Sequence, residues 1–289
     1  MRETAQATRM NAPAAVTPAP QSLPALLAKG SPLVMGVLNV TPDSFSDGGQ
    51  FIEPSVAIAH ARQMAADGAD ILDIGAESTR PYGGMKPVSS DDEIARLAPV
   101  LPTVVALGPL VSIDSLKAST AAWALDHGAA IINDVWGLQR DPEMAPLAAK
   151  RKVPVIAMHN RDKADPAIDI VGDVVAFFAR TLEIASQAGI ARDMIVLDPG
   201  IGFGKTPEQS ITCIARFAAF KTFGLPLLLG ASRKRFIASV SPSEPQQRIG
   251  GSLAAHLYGV ENGAAIIRAH DVAETVQALR VQSAIRGAQ

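Results

Sequence analysis

The sequence predicts an α/β barrel built from eight strand-helix units. Three observations predict it: eight short runs that are apolar at nearly every position, a helix-compatible stretch after each, and polar side chains where almost every run ends. Runs without polar alternation suit strands covered on both faces, as parallel strands packed by helices are. Eight such units is the count that closes a TIM-type barrel, whose active site lies at the C-terminal ends of its strands.

Residues 1–30 are rich in Ala and Pro, and Pro13, Pro18, Pro20 and Pro24 deny them the continuous helical apolar core of a secretory signal. They read as a disordered tail, with residues 31–289 as one barrel domain. The expected strands are Leu33–Leu38, Ala69–Ile74, Leu110–Ile113, Ala130–Ile132, Val153–Met158, Met194–Leu197, Leu225–Leu229 and Ala264–Ile267. Between the fifth and sixth, Ile170, Val174, Phe177, Phe178, Thr181, Leu182 and Ala185 recur at helical spacing. An open doubly wound sheet would place G-x-G-x-x-G after its first strand, where Asn39-Val40-Thr41-Pro42-Asp43 stands instead.

Composition narrows the function. The 289 residues carry 26 Lys and Arg against 28 Asp and Glu, a net charge of −2, so no general cationic field holds nucleic acid or an anionic membrane. Charges or Gly and Pro interrupt every apolar run before it could span a bilayer. Cys213 stands alone, which rules out an internal disulfide. A small-molecule partner is expected.

The polar residues at the strand ends are Asn39, then Asp73 and Glu77, Asp114, Asn133 and Asp134, His159 and Asn160, Asp198, then Ser232, Arg233 and Lys234, and finally Arg268 and His270. One Asp after a strand is commonly a helix cap or a turn residue; their recurrence round the barrel is the stronger signal. Asp114, Asn133 and Asp198 offer acceptors suited to the adjacent N–H groups of an amidine or aminopyrimidine edge. Arg268, His270, Thr79, Arg80 and Asn39 suit a phosphate or diphosphate. Gly48-Gly49 and Gly83-Gly84 lie in loops after the first two strands, read as mobile covers of the site.

Other motifs dissolve on inspection. Gly204-Lys205-Thr206 resembles the end of a nucleotide P-loop, but the glycine required five residues before Gly204 is Pro199. The histidines form no H-E-x-x-H pair; His60, His127 and His256 read as surface or packing residues, and Cys213, Trp123 and Trp136 as packing.

As a set, the motifs are identifiable. Met35-Gly36-Val37-Leu38-Asn39-Val40-Thr41-Pro42-Asp43-Ser44-Phe45-Ser46-Asp47-Gly48-Gly49 resembles the first signature of dihydropteroate synthases, and Asp73-Ile74-Gly75-Ala76-Glu77-Ser78-Thr79-Arg80-Pro81 the second. Asp198 to Lys205, Ser232-Arg233-Lys234 and Arg268 to Val272 follow in the expected order. The resemblance implies an Mg²⁺-dependent, homodimeric folate enzyme joining p-aminobenzoate to 6-hydroxymethyl-7,8-dihydropterin diphosphate. It implies that Asp114, Asn133, Asp198 and Lys234 hold the pterin, with Met158 beside it and Arg268 stacked on it. Asn39, Thr79, Arg268 and His270 would hold the diphosphate, and Asn39 would contact Mg²⁺. Phe45, Asp47, Arg80, Pro81, Phe203 and Lys234 would enclose p-aminobenzoate.

Two departures from the pattern stand out: Arg235 follows Lys234 where many relatives carry Ser, and Met158-His159-Asn160-Arg161 replaces Met-His-Met. The first puts a guanidinium where a hydroxyl would meet the carboxylate of p-aminobenzoate. Two rival functions are the pterin-binding unit of a corrinoid-dependent methyltransferase and a pterin-binding paralogue without catalysis. The first leaves the loop signatures unexplained; the second is disfavoured by intact Asn39, Asp47, Arg80, Lys234, Arg268 and His270. The absence of a recognisable fused domain leads to the expectation of a stand-alone cytoplasmic enzyme.

Overall fold

A computed structural model of the protein describes residues 22–41, 53–77 and 88–288. Strands β1 (Leu33–Asn39), β2 (Ile71–Gly75), β3 (Leu110–Asp114), β4 (Ile131–Asp134), β5 (Val155–Met158), β6 (Ile195–Asp198), β7 (Leu227–Leu229) and β8 (Ala264–Ala269) form a closed barrel in sequence order. All neighbours are parallel, and β8 returns beside β1. Each expected run contains its strand or overlaps it. Where the strand starts late, a proline explains it for β5 and β7: Pro154 and Pro226 lack the N–H the ladder requires. Several strands also run on to the polar residue predicted to follow them, so Asn39, Asp114, Asp134 and Asp198 close β1, β3, β4 and β6.

The outer layer comprises α2 (Pro54–Ala66), α3 (Ser90–Leu97), α4 (Leu101–Val105), α5 (Ala118–Asp126), α6 (Met144–Arg151), α7 (Ile170–Ala188), α8 (Pro207–Ala215), α9 (Arg235–Val240), α10 (Ile249–Glu261) and α11 (Val272–Gly287). The longest, α7, starts where the Asp169 side chain accepts the Val171 N–H and stops at Gly189 in the left-handed region. It buries Ile170, Val174, Phe177, Phe178, Thr181 and Ala185 as the spacing predicted, with Leu182 half-buried.

Strand parity sorts the interior into two cores. Leu38, Leu72, Ile74, Val111, Ile113, Ile132, Val155, Ala157, Leu197, Leu229 and Ile267 belong to the layer between barrel and helices. The alternate residues Leu33, Met35, Ile71, Leu110, Ile131, Ile156, Val196, Leu228 and Ile266 form a separate core inside the barrel. Because register carries parity from strand to strand, the residues two positions further along share that inner face: Val37 pairs with Asp73, Asp73 with Ser112, Asp114 with Asn133 and Met158 with Asp198. The barrel is therefore apolar below and polar above.

The boundary of the expected tail requires correction. Leu23–Leu27 is a helix, α1, begun by the Ser22 side chain accepting the Ala25 N–H and by Pro24 in its first turn. Its Leu23 and Leu26, 2% and 3% exposed, complete the core inside the barrel. Pro24 does not prevent this helix, because a proline in the first turn loses no helical hydrogen bond. Residues 1–21 lie outside the described residues.

His256 on α10 is a packing residue, as expected: it is 1% exposed, and neither ring nitrogen has a hydrogen-bond partner among the described residues. Burial pushes its pKa down from 6.5 to about 4. Between those values the unfolded chain takes up a proton that the folded chain refuses. The folded state keeps its full advantage above pH 6.5 and loses it as pH falls through 4, a loss of about 3 kcal/mol. Urea unfolding between pH 7 and pH 4 is expected to show that loss in the native chain and a correspondingly smaller one in His256→Leu; identical pH dependence in both would refute it.

Candidate active site

The upper inner face of the barrel is a floor of acceptors crossed by one guanidinium. Arg268, near the end of β8, reaches across β1. Its Nε donates to Asp73 Oδ2 at 2.7 Å and its Nη2 to Asp114 Oδ2 at 2.8 Å. Asn133 Nδ2 donates to the same Asp73 oxygen at 3.1 Å. Asp73, Asp114 and Asn133 are all buried. Asp73 Oδ1, Ser112 Oγ and Asp114 Oδ1, neighbours across β2 and β3, have no hydrogen-bond partner among the described residues. A buried acceptor left unpaired costs roughly 1–3 kcal/mol, so this patch calls for N–H donors from a ligand. Burial and the neighbouring Asp73 charge push the Asp114 carboxyl up to about 7, with Arg268 opposing.

Asp198 closes the floor on β6, where its Oδ1 accepts the Gly200 N–H at 2.7 Å; burial raises its pKa against the pull of Lys234. Met158 is paired with it in register and 3% exposed. Asn39 ends β1 in register with Gly75, half-buried on the same parity.

Basic groups stand at the rim. Burial pushes Lys234 down to about 7, with Arg268 and Lys205 acting in the same sense and Asp198 against them. Its Nζ donates to Ile201 O and lies 4.5 Å from the centre of the Phe203 ring. His270 is held by Ser232, whose Oγ accepts the His270 backbone N–H at 3.1 Å and lies 3.0 Å from Nδ1. The tautomer protonated on Nε2 satisfies all of these contacts, with the Ser232 hydroxyl donating to Nδ1. Burial, then Arg268 and Arg233, push His270 down to about 3, so it is a neutral donor.

The turn after β6 is built on glycines. Gly200 has φ +64°, and a Cβ there would lie 1.9 Å from His159 O; Gly204 has φ +54°, and a Cβ would meet Arg161 Cβ at 2.4 Å. Only glycine permits both the left-handed backbone and this approach. Lys205, the lysine of the discarded P-loop likeness, points inward and is 1% exposed.

Several polar residues of the predicted ring serve the frame instead. Asp134 has outward parity and accepts the N–H groups of Trp136 and Leu138. Arg233 pairs with Asp271. Glu77 pairs with Lys117 and accepts the Val88 N–H at 3.1 Å, while Lys117 also holds buried Glu93 at 3.0 Å. Asn160 accepts the Arg161 N–H, and His159 lies behind the β6 turn, bonded to Asp173 and Lys205. Arg235 is exposed at the start of α9. Phe45, Asp47, Thr79, Arg80 and Pro81 lie outside the described residues. Asp73 is the residue the sequence underrated: its place two residues before Gly75, on the parity of the other acceptors, was the available signal.

A family model for pterin-binding enzymes matches residues 35–270. The chain is 43% identical over 262 residues to a dihydropteroate synthase of Bacillus subtilis (strain 168), covering 90% of this chain and 91% of the relative. A dihydropteroate synthase from Clostridium difficile, solved in the presence of pteroic acid, has a TM-score of 0.84 at 44% identity, covering 88% of this chain and 97% of the other. One from Xanthomonas albilineans, solved with 4-aminobenzoic acid, also has a TM-score of 0.84, at 41% identity over 89% and 93% of the two chains. With the signatures in order, the barrel closed and the acceptor floor in place, the chain belongs to the dihydropteroate synthase family of pterin-binding enzymes.

Proposed function

We propose that the protein condenses 6-hydroxymethyl-7,8-dihydropterin diphosphate with p-aminobenzoate, releasing diphosphate and forming the 7,8-dihydropteroate of folate biosynthesis. The observation that carries this reading is the pairing of Asp73 Oδ1, Ser112 Oγ and Asp114 Oδ1, unpartnered among the described residues, with the basic rim of Lys234, Arg268 and His270. An aminopyrimidine edge supplies the N–H groups that the floor lacks, and a diphosphate on the same molecule meets the rim. The relatives described above are synthases, not corrinoid-dependent methyltransferases.

In this reading Asp73, Asp114, Asn133, Asp198 and Lys234 hold the pterin beside Met158. Arg268 has five N–H donors and spends two on Asp73 and Asp114, leaving three for the ligand. The bond from the pterin methylene carbon to the diphosphate oxygen breaks, and diphosphate leaves with the electron pair. Arg268 and the Nε2–H of His270 stabilise the charge gathering on it. The electron-rich dihydropterin shares the positive charge on the carbon, and the amine of p-aminobenzoate forms the new C–N bond and releases its proton to solvent. Thr79 joins the groups on the diphosphate, and Phe203 and Lys234, with Phe45, Asp47, Arg80 and Pro81 of the two loop signatures, enclose p-aminobenzoate and exclude water from that carbon.

Mg²⁺ fits this donor set as an ion arriving on the diphosphate. Among the described residues no group of three His, Cys, Asp or Glu side chains could hold a metal, and Asn39 offers one neutral oxygen at the rim. When bound, Mg²⁺ supplies neutralising charge to the leaving group. Sulfonamides, as mimics of p-aminobenzoate, are expected to compete for the pocket at Phe203. A homodimer is supported by Ile211 on α8, Tyr258 on α10 and Val281 and Ile285 on α11, large apolar side chains exposed on helices that α10 packs together. Among the described residues no helix is long and apolar enough to cross a membrane, and the proposed location is the cytoplasm.

Two variants separate the roles at the rim. His270→Ala is expected to lower kcat/KM for the pterin diphosphate about 100-fold, equivalent to about 3 kcal/mol, with unfolding stability unchanged. Arg268→Ala is expected to lose at least as much activity and about 3–5 kcal/mol of stability, because it leaves two buried carboxylates uncompensated. Since His270 is already neutral, the acid limb of the wild-type profile is not expected to show a histidine near pH 6.5. Coupled release of diphosphate and 7,8-dihydropteroate by the wild type tests the reading, and binding without product would overturn it.

A further inference from the structure

The turn that carries Phe203 is gripped from below by a polar chain, buried at Lys205 and His159 and half-buried at Asp173 and Arg161, for which the reaction above has no use. Lys205 Nζ donates to Gly200 O at 2.9 Å, to Phe203 O at 3.1 Å and to His159 Nδ1 at 2.7 Å. These are three acceptors for three ammonium protons. With Nδ1 accepting, His159 carries its proton on Nε2 and donates to Asp173 Oδ2 at 3.0 Å. Asp173 stands in the first turn of α7 and also accepts from Arg161 Nη1 at 2.9 Å. The imidazole is fully buried, edge-on to Phe177 with centroids 4.8 Å apart, and its backbone N–H donates to Asp198 O at 2.8 Å. Burial, then the neighbouring ammonium, push His159 down to about 3, which keeps it neutral and able to accept from Lys205.

The same turn is held from the site side by Lys234, through Ile201 O and the face of Phe203. We propose that Lys205, backed by His159 and Asp173, is a positioning residue of the synthase reaction: it fixes the backbone of residues 200–203 so that Phe203 presents its ring to p-aminobenzoate. This inference rests on the synthase reading above. It gives the lysine of the false P-loop a purpose, since an ammonium with three fixed acceptors ties down the carbonyls of a turn whose glycines have no side chains with which to hold it. Among the described residues Lys205 has no hydrogen bond to the acceptors on β2, β3 and β4, whereas it holds the Phe203 carbonyl directly; Asp198, the β6 member of the floor, meets the same turn at the Gly200 N–H, so the larger effect falls on p-aminobenzoate.

The test compares wild type, Lys205→Met and Asp173→Asn in steady-state assays that vary each substrate in turn, with Mg²⁺ present. Methionine keeps the length of the stem and removes all three donors. Lys205→Met is expected to raise KM for p-aminobenzoate about tenfold, equivalent to about 1.4 kcal/mol of lost substrate binding, while kcat and KM for the pterin diphosphate stay within about threefold. Asp173, 31% exposed, tolerates substitution more readily. Asp173→Asn weakens the anchor of His159, and the same KM is expected to rise about threefold. A generally loosened fold would instead reduce kcat with both KM values unmoved. That pattern, equal shifts for both substrates, or an unchanged KM for p-aminobenzoate in both variants would overturn the inference while leaving the synthase reading intact. If Lys205→Met fails to fold, Asp173→Asn decides. A wild type that yields no dihydropteroate overturns both.

Discussion

Arg268 places a single positive charge between two buried carboxylates, and the upper half of the barrel is organised round that imbalance. Asp73 and Asp114 sit on neighbouring strands, each at hydrogen-bond distance from the guanidinium, and one oxygen of each is left without a partner among the described residues. One cation cannot fully compensate two anions in a medium of low polarity, and the rise of Asp114 to about 7 has burial as its first cause and the neighbouring Asp73 charge as its second, with Arg268 opposing. A buried ion pair contributes little net stability; in the proposed reading this one keeps acceptors in place for a ligand rich in N–H groups.

The barrel makes that arrangement possible through parity. Alternate residues of parallel strands face inward, and the register carries the same parity round the ring, so apolar side chains at one level and carboxylates two residues later need no other device to meet. α1 closes the lower end with Leu23 and Leu26. The cost of a charged upper layer is thus offset by a lower core and an outer core that are almost wholly apolar, a division in which structural and chemical demands fall on different residues.

Much of this was legible in the sequence because it is local. Apolar runs locate the strands, and a polar residue at a strand end has few places to point. The places of Asp114, Asn133 and Asp198 at the upper ends of β3, β4 and β6 are legible in this way. Contacts between distant segments were not: Asp73 shares Arg268 with Asp114, and that guanidinium lies far along the chain from both. Lys205 and His159 are 46 residues apart, and no spacing rule links them. Asp134 and Glu77 misled for the converse reason, since a carboxylate after a strand reads alike whether it faces the site, caps a turn or pairs with a lysine behind it. The helix at Leu23–Leu27 was hidden by Pro24, whose effect depends on which turn of the helix it occupies.

The most direct measurement of the central claim is the calorimetric affinity of 6-hydroxymethyl-7,8-dihydropterin, which lacks the diphosphate and so reports on the acceptor floor alone, for the wild type and for Asp73→Asn. If the floor reads the heterocycle through its unpaired carboxylate oxygens, the neutral amide weakens binding about 10- to 100-fold, or about 1.4–3 kcal/mol, with the barrel still folded. Equal affinity for the two proteins would contradict this and mean that Asp73 serves only to hold Arg268.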